Sequence, residues 1–310
     1  MRICIVTPGQ PSNNPRMVKE ADALTQAGHT VHAICADCGL WPSRMDPGVM
    51  HTREWTFEYA AGSARGTGGV MRRVRHKVAR RYRSAAVGSA AFNYALSPVA
   101  AELRRAALNT PAELYIAHHP HALPAVVDAS VKFGAKVGYD VEDLYAGMGR
   151  DKTRETDVIE ALERAYLPGC DYVTSAAPGF SREYARRYGI EPPVVILNVF
   201  PRQERPDVFR PTSLHAPLRL YWFSQCIGSG RGLEDVVNAM ALLQDVPVEL
   251  HLRGNWEAGY RERLYAFAAS VGVDRNRLFS FQPDSPDDMV RLASQCDIGL
   301  VIEQSVDWNK

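Results

Sequence analysis

The stretch ERAYLPGCDYVTSAAPGFSREYARRYGIEPPVVILNVFP, Glu163 to Pro201, decides how the chain is read. A helix ends at Pro168-Gly169, because proline cannot continue an α-helix and glycine tolerates the turn that follows. Tyr172 to Ser175 is a short apolar strand entered through Cys170-Asp171. A second helix closes at Tyr188-Gly189, and Val194 to Asn198 forms another strand whose exit leads to Pro201. Strand, helix, strand in this rhythm is the unit of a parallel sheet.

The same rhythm extends toward the N-terminus. Arg2 to Pro8 reads as a strand, and Asn14-Pro15 supplies an N-cap and a first-turn proline for a helix that Gly28 ends. Thr30 to Ala36 is the next strand, and a further one is expected near His51 to Phe57. Helical patterning occupies much of Val70 to Leu108. Glu113 to His118 is a strand, Ala122 to Phe133 a helix, and Lys136 to Asp140 a strand. Strands alternating with helices predict an α/β fold with a doubly wound sheet covered on both faces.

Toward the C-terminus, Pro201 to Pro217 holds four prolines among charged residues with no apolar period. A domain boundary is expected there, giving domains 1–205 and 206–310. A second series of strands and helices follows: Leu218 to Ser224, Leu233 to Leu243, Val248 to Arg253, Tyr260 to Val271, Leu278 to Phe281, Asp287 to Ser294 and Ile298 to Ile302.

Composition agrees with two domains, since 46% of 310 residues are hydrophobic, enough to fill two cores. The 36 basic and 35 acidic residues balance, so any polyanion binding has to come from a local patch. Six scattered cysteines suit a reducing compartment better than a disulfide framework. Cys35 and Cys38 form one C-x-x-C, but zinc needs a second pair of ligands at similar spacing, so no metal is expected. MRICIVTP is too short for a signal sequence, and no apolar run has the length of a membrane span, so a cytoplasmic protein is expected.

The order from Glu163 to Pro201 closely resembles the end of the first domain in retaining glycosyltransferases of the GT-B fold, family four. YIAHHPHALPAV (Tyr115 to Val126) and YDVEDLY (Tyr139 to Tyr145) resemble segments of the same domain, and WFSQCIGSGRGLEDVVNAMALL (Trp222 to Leu243) resembles the nucleotide-sugar turn of the second. The resemblance implies two Rossmann-like domains, the first binding acceptor and the second binding donor. It implies transfer of a sugar from a nucleotide-sugar to a glycan or lipid-linked acceptor with retention, without a metal and without a cofactor, the nucleotide-sugar being a substrate. No D-x-D triplet, the metal–diphosphate signature of the other large transferase fold, occurs in the chain. The family's E-x7-E pair is not found after Ile298 to Ile302, where Glu303 is too early to match, and a C-terminally truncated chain is the expectation. A non-catalytic binding protein and a GT-B sugar-nucleotide epimerase are the rival classes.

Carried over residue by residue, the resemblance gives His118 the position that hydrogen-bonds a donor-sugar hydroxyl, with a core or capping histidine as the alternative. Glu142 and Asp143 stand where the family has histidine and glutamate. Glu142 is a candidate to accept the proton of an acceptor hydroxyl, or it is simply solvated. Gln225 stands in the family's Gly-Arg position and Arg231 in its lysine position, with Gly230 in the turn between; together with Arg253 at a strand end they are the donor-binding candidates. Arg231 lies just before a helix N-terminus, which favours an anion, or else the glycines make a turn and Arg231 is solvated.

GQPSNNPRMVKEADAL, Gly9 to Leu24, lies outside the carboxyl end of the first strand, where open α/β sheets bind ligands. Asn13 and Arg16 are the acceptor- or phosphate-binding candidates. A cation in a first helical turn is unfavourable by roughly 0.3–1 kcal/mol, so Arg16 either meets an anionic partner or pairs with Glu20 one turn on. Arg72, Arg73, Arg75, Lys77, Arg80, Arg81 and Arg83 run with no acid among them, while Val70, Val74, Val78 and Tyr82 recur every fourth residue. That pattern is a basic amphipathic helix, either docking on the anionic cytoplasmic face of a membrane or packed on its own domain. Nucleic acid is not an expected partner, because no aromatic residues interleave with the charges.

Overall fold

In the computed structural model, the described residues are 1–37, 44–61, 66–81, 87, 89–147, 154–207, 216–243 and 245–302. The chain forms two compact units, Met1–Val199 and Phe200–Lys310. The first carries strands β1 (Arg2–Val6), β2 (Thr30–Cys35), β3 (Thr56–Tyr59), β4 (Leu114–His118), β5 (Lys136–Val141), β6 (Tyr172–Ser175) and β7 (Val194–Val195). Its helices are α1 (Pro15–Gln26), α2 (Asp46–Met50), α3 (Thr67–Ala79), α4 (Ala90–Leu96), α5 (Ala100–Asn109), α6 (Leu123–Phe133), α7 (Arg154–Tyr166) and α8 (Pro178–Tyr188).

The seven strands pair in parallel in the order β3-β2-β1-β4-β5-β6-β7. The order reverses between β1 and β4, the kind of switch point at whose carboxyl ends open α/β sheets bind ligands. Alternate residues of the inner strands feed two cores. Ile3, Ile5, Leu114 and Ile116 face Met17, Val18 and Ala21 of α1 together with Trp55. Cys4, Val6, Tyr115 and Ala117 face Leu103 and Ala107 of α5 and Ala125, Val126 and Ala129 of α6. Both faces are therefore dry at the centre of the sheet, as the near-continuous apolar runs of β1 and β4 require.

Several boundaries differ from the sequence reading: the strand at Val194 ends at Val195, the one at Val248 runs on to Trp256, and the one at Ile298 ends at Gly299. The segment at His51 to Glu54 is a turn after α2, and the strand starts only at Thr56, with the buried Trp55 as its lead-in. Helical patterning over Val70 to Leu108 resolves into α3, α4 and α5, the last two separated at Ser97-Pro98 because the residue before a proline is pushed toward extended backbone. In the second unit, the strand beginning at Leu218 runs past Ser224 to Ile227, with an irregularity between Phe223 and Cys226.

The second unit has strands β8 (Leu218–Ile227), β9 (Val248–Trp256), β10 (Leu278–Phe281) and β11 (Ile298–Gly299), parallel in the order β10-β9-β8-β11. Helices α9 (Leu233–Leu242), α10 (Tyr260–Ser270) and α11 (Met289–Ala293) connect them. Its core centres on Trp222, Leu250, Leu252, Val237, Met240 and Leu264. Among the described residues, no helix is long and apolar enough to cross a membrane.

Candidate active site

The carboxyl edge of the first sheet holds a nearly dry ionic cluster. β4 ends in His118, β5 carries Asp140 and is followed by Glu142, and α1 lowers Arg16 and Glu20 onto them. Asn14 caps α1 by accepting from the Met17 amide at 3.0 Å, and its side-chain amide donates to Glu142 Oε1 at 2.9 Å. One residue thus starts the helix and ties it to the loop after β5.

Arg16 is buried, and its fork is spent within the protein. Nε donates to Asp140 Oδ2 at 2.5 Å, one terminal nitrogen to Asp140 Oδ1 at 2.7 Å, and the other to the Ile196 carbonyl at 2.6 Å. Thr174 also donates to Asp140. Burial opposes the charge on Asp140, but the Arg16 hydrogen bonds outweigh it and hold the carboxyl below its usual range. The anionic partner expected for Arg16 is therefore Asp140 on a neighbouring strand, and neither a bound phosphate nor Glu20 takes the fork. Freeing it for a ligand would strand a buried carboxylate, which costs about 3–5 kcal/mol.

His118 is wholly buried between two carboxylates: Nδ1 lies 2.7 Å from Glu142 Oε1, and Nε2 bonds Glu20. Burial alone would depress its pKa, but Glu20 and Glu142 overcome this and raise it to about 10. The ring is an imidazolium at neutral pH with both N–H groups committed. The expected hydrogen bond from His118 to a sugar hydroxyl is thus not available in this arrangement; instead the ring fixes the two acids. Glu142 reaches the surface, with its side chain 23% exposed, and its Oε2 accepts only a long 3.3 Å bond from the Tyr145 hydroxyl among the described residues.

Ligand atoms of His118, Asp140 and Glu142 lie within 4.8 Å of one another, a spacing that a metal ion could use. The donor set argues for ion pairing instead, because both Asp140 oxygens carry the Arg16 fork and a protonated imidazole offers no lone pair. Asn13, the other candidate in this loop, turns its Oδ1 back to accept from the Gln10 amide at 2.8 Å. Beside the cluster, α1 and the chain leaving β7 enclose a cavity of about 300 Å³ lined by Lys19, Leu24, Ile196 and Leu197 among others.

The roles of three members of the site escaped sequence reasoning, which offered Glu20 only as an alternative partner for Arg16. Glu20 and Asp140 carry no motif, though Asp140 ends an apolar strand, where a carboxylate is a departure worth noticing. His119 follows β4 at φ 80°, which a non-glycine residue adopts at a cost, and its ring packs 4.5 Å from both His121 and Tyr145. Burial lowers the pKa of His121 to about 4, with His76 adding to the effect, so this pair is neutral beside the charged His118.

The second unit offers a separate candidate anion site at Gly228 to Gly232. Gly230 and Gly232 have φ of 72° and 75°, and Gly232 is the N-cap of α9. A Cβ on Gly232 would sit 2.1 Å from the Ile302 carbonyl oxygen, so only glycine fits. Between them, Arg231 is half-buried with no side-chain partner among the described residues. The turn already binds a carboxylate: Ser229 donates its amide to Glu257 Oε2 at 3.0 Å and its hydroxyl at 3.2 Å. These bonds, above all the one from the amide, hold the Glu257 carboxyl below its usual range. Glu257 thus occupies the amide and hydroxyl donors of the turn.

The remaining donor candidates divide. Gln225 is exposed in the irregular part of β8, near this turn. Arg253 is instead committed to its own unit, bonding the Tyr221 hydroxyl at 3.1 Å and the Gln282 carbonyl at 2.8 Å while lying over the Phe281 ring. It braces β9 against β8 and β10 and is not an open donor-binding arginine.

No protein-family model matches the sequence, and no curated protein matches it. Solved structures do. Anabaena Alr3699/HepE in complex with UDP-glucose superposes with a TM-score of 0.64 at 14% identity, over 96% of this chain and 73% of that one. Sucrose-phosphate synthase from Thermosynechococcus elongatus gives 0.62 at 15% identity, over 97% and 75%. The lipopolysaccharide outer core galactosyltransferase WaaB, in its apo form, gives 0.55 at 12% identity, over 95% and 71%. With a seven-stranded and a second parallel sheet, this chain has the GT-B fold of two Rossmann-like units.

Proposed function

We propose that the protein is a glycosyltransferase that moves a sugar from a nucleotide-sugar donor to a glycan or lipid-linked acceptor with retention at the anomeric carbon. The observation that carries this reading is the glycine turn before α9. There, the Ser229 amide and hydroxyl hold the Glu257 carboxylate in the turn that carries Arg231, just before the N-terminus of α9. A diphosphate presents the same acceptor oxygens with more charge, and would displace Glu257 onto the neighbouring Arg263, which already lies 3.4 Å away.

In the reaction, the bond from the anomeric carbon to the diphosphate oxygen breaks, and the acceptor oxygen bonds that carbon on the same face. Charge grows on the leaving phosphate, where Arg231 stabilises it. The acceptor's proton leaves its oxygen as the new bond forms, and Glu142, whose Oε2 accepts only the long bond from Tyr145 among the described residues, is the carboxylate that orients or receives it. His118, Asp140 and Arg16 hold Glu142 in place, and no step uses a metal.

A lipid-linked acceptor is favoured by α3. Arg75 pins this helix to α4 and α5, bonding Glu102 at 2.8 Å and stacking on Tyr94 at 4.3 Å. Val70, Met71, Val74 and Val78 are then left at 50% exposure or more, flanked by exposed Arg73, Lys77, Arg80 and Arg81. Tyr82 and Arg83, the end of the basic run, lie outside the described residues. An apolar stripe edged by cations is what a peripheral helix needs to sit on an anionic cytoplasmic leaflet.

Incubating the protein with nucleotide-sugars and with glycan or polyprenyl-phosphate-linked acceptors, and reading nucleoside diphosphate release and then the anomeric configuration by proton NMR, tests the reading. Release that needs acceptor and gives a retained product is expected. Inversion would remove the retaining assignment, and a sugar epimerised without acceptor would replace transfer with epimerase chemistry.

A further inference from the structure

His119 is held in a backbone conformation that a histidine adopts only at a cost. Its φ of 80° and ψ of 138° lie close to a region that is essentially glycine's own. Among the described residues it is the one non-glycine residue at positive φ, whereas the other such positions, Gly134 after α6 and Gly189 after α8 among them, are glycines. A glycine would relieve the strain here too, so the side chain has to account for the histidine.

The ring packs against His121 and Tyr145, and its Nδ1 accepts from the His121 backbone amide at 3.3 Å. An amide can only donate, so Nδ1 carries the lone pair and the proton of the neutral ring sits on Nε2. Burial, with His121 beside it, keeps the ring from taking a second proton at neutral pH. Nε2–H has no hydrogen-bond partner among the described residues. The side-chain polar atoms there that are both sealed from solvent and unpaired are Asn93 Oδ1 and Glu204 Oε2, so Nε2–H is open to solvent. The strained residue thus presents one uncharged N–H, fixed in tautomer, at the carboxyl end of β4 where the strand order reverses. Tyr145 joins it to Glu142, because the ring that lies on His119 carries the hydroxyl that donates to Glu142 Oε2 at 3.3 Å. One tyrosine side chain separates the open N–H from the carboxylate oxygen, a span that a monosaccharide covers with two of its hydroxyls. An uncharged donor suits a hydroxyl oxygen, whereas a phosphate is better served by a cation.

We propose that His119 binds the acceptor, donating Nε2–H to a hydroxyl oxygen of an acceptor sugar while a second hydroxyl of the same ring faces Glu142. This rests on the transfer reading and deepens it: the reacting end of the acceptor is a carbohydrate, whether or not a lipid carries it, and not a phosphate oxygen. Both N–H groups of His118 are committed to carboxylates, so the sugar contact falls to its neighbour in the chain. The positive φ is the cost of placing that N–H, and glycine, which would remove the cost, has none to give.

Long-range proton–nitrogen NMR of the full chain carrying nitrogen-15 histidine reads both nitrogens of each ring. His119, assigned by its loss in His119→Asn, should be the Nε2–H tautomer at neutral pH. Titration with the methyl α-glycosides of glucose, galactose, mannose and N-acetylglucosamine should move its Nε2 signal with at least one of them, and inorganic phosphate should not. His119→Gly should weaken that glycoside about tenfold, the scale of one lost hydrogen bond, although its backbone is relieved. His119→Asn, whose amide supplies an N–H, should recover part of the loss. An Nδ1–H or doubly protonated ring, an Nε2 signal unmoved by every glycoside, or equal glycoside binding by the wild type and His119→Gly overturns the proposal. The tautomer and the titration are read on the wild type, so they decide even where a variant folds poorly. The transfer reading is tested apart from this: a glycoside that moves His119 in a chain that binds no nucleoside diphosphate keeps the sugar site and removes the transferase, whereas nucleoside diphosphate binding with His119 unmoved does the reverse.

Discussion

Raising the pH should loosen the first unit well before its tyrosines ionise, because His118 is held protonated by Glu20 and Glu142. Its folded pKa is raised to about 10 against an ordinary value of 6.5. A histidine raised in the folded state contributes its full stability below the unfolded pKa and loses it as pH climbs toward the folded one. Between the two values the folded protein binds one proton that the unfolded chain does not, so stability falls by about 1.4 kcal/mol per pH unit. Between pH 7 and pH 9 the loss is about 2–3 kcal/mol, a large part of an ordinary domain's stability. The assay is urea unfolding of the full chain at a series of pH values, with His118→Gln alongside. The wild type should show the slope, and the variant, less stable at pH 7, should be nearly flat over the same range. A flat wild-type profile from pH 7 to pH 9, or an identical slope in His118→Gln, would show that the ring is not the proton-binding centre of this cluster.

Two further outcomes follow from burial and backbone geometry. Arg16→Ala leaves Asp140 buried and uncompensated and should destabilise the first unit by about 3–5 kcal/mol, while adding Asp140→Asn should recover part of the loss in the same urea assay. If Arg16 instead served a ligand, its removal would be nearly silent in the absence of one. Gly232→Ala combines a positive φ with a contact 2.1 Å from the Ile302 carbonyl oxygen and should cost more than about 2 kcal/mol in the second unit. Gly189→Ala, at φ 66° but with open space around it, should cost only about 1 kcal/mol in the first. Equal losses at the two glycines would mean that conformation, not the close approach, decides.

Much of the architecture is legible in the chain because it rests on local signals. The Tyr188-Gly189 stop, the Asn14-Pro15 start and the apolar runs of β1 and β4 each place an element without knowledge of its neighbours. The site is less legible because its logic is long-range: Arg16 meets Asp140 across 124 positions, and His118 meets Glu20 across 98. An arginine in a first helical turn announces that it needs an anion, and only the fold says which. The same limit explains α3, whose valine stripe and basic run leave membrane docking and packing on its own domain both open until the contacts of Arg75 place it. His119 gives no warning at all, since nothing in HHPH marks a residue with positive φ.

The most direct measurement is calorimetric titration of UDP, GDP and ADP into the full chain and into Arg231→Ala. At least one nucleoside diphosphate should bind the wild type, and the variant should bind it at least tenfold more weakly, the loss of one charge-assisted phosphate contact at about 1.5–3 kcal/mol. Glu257→Gln should bind it as tightly as the wild type or more tightly, since the carboxylate competing for Ser229 is gone. Binding of none of the three, or equal binding by wild type and Arg231→Ala, would contradict the donor site at the Gly228 to Gly232 turn and, with it, the glycosyl-transfer reading.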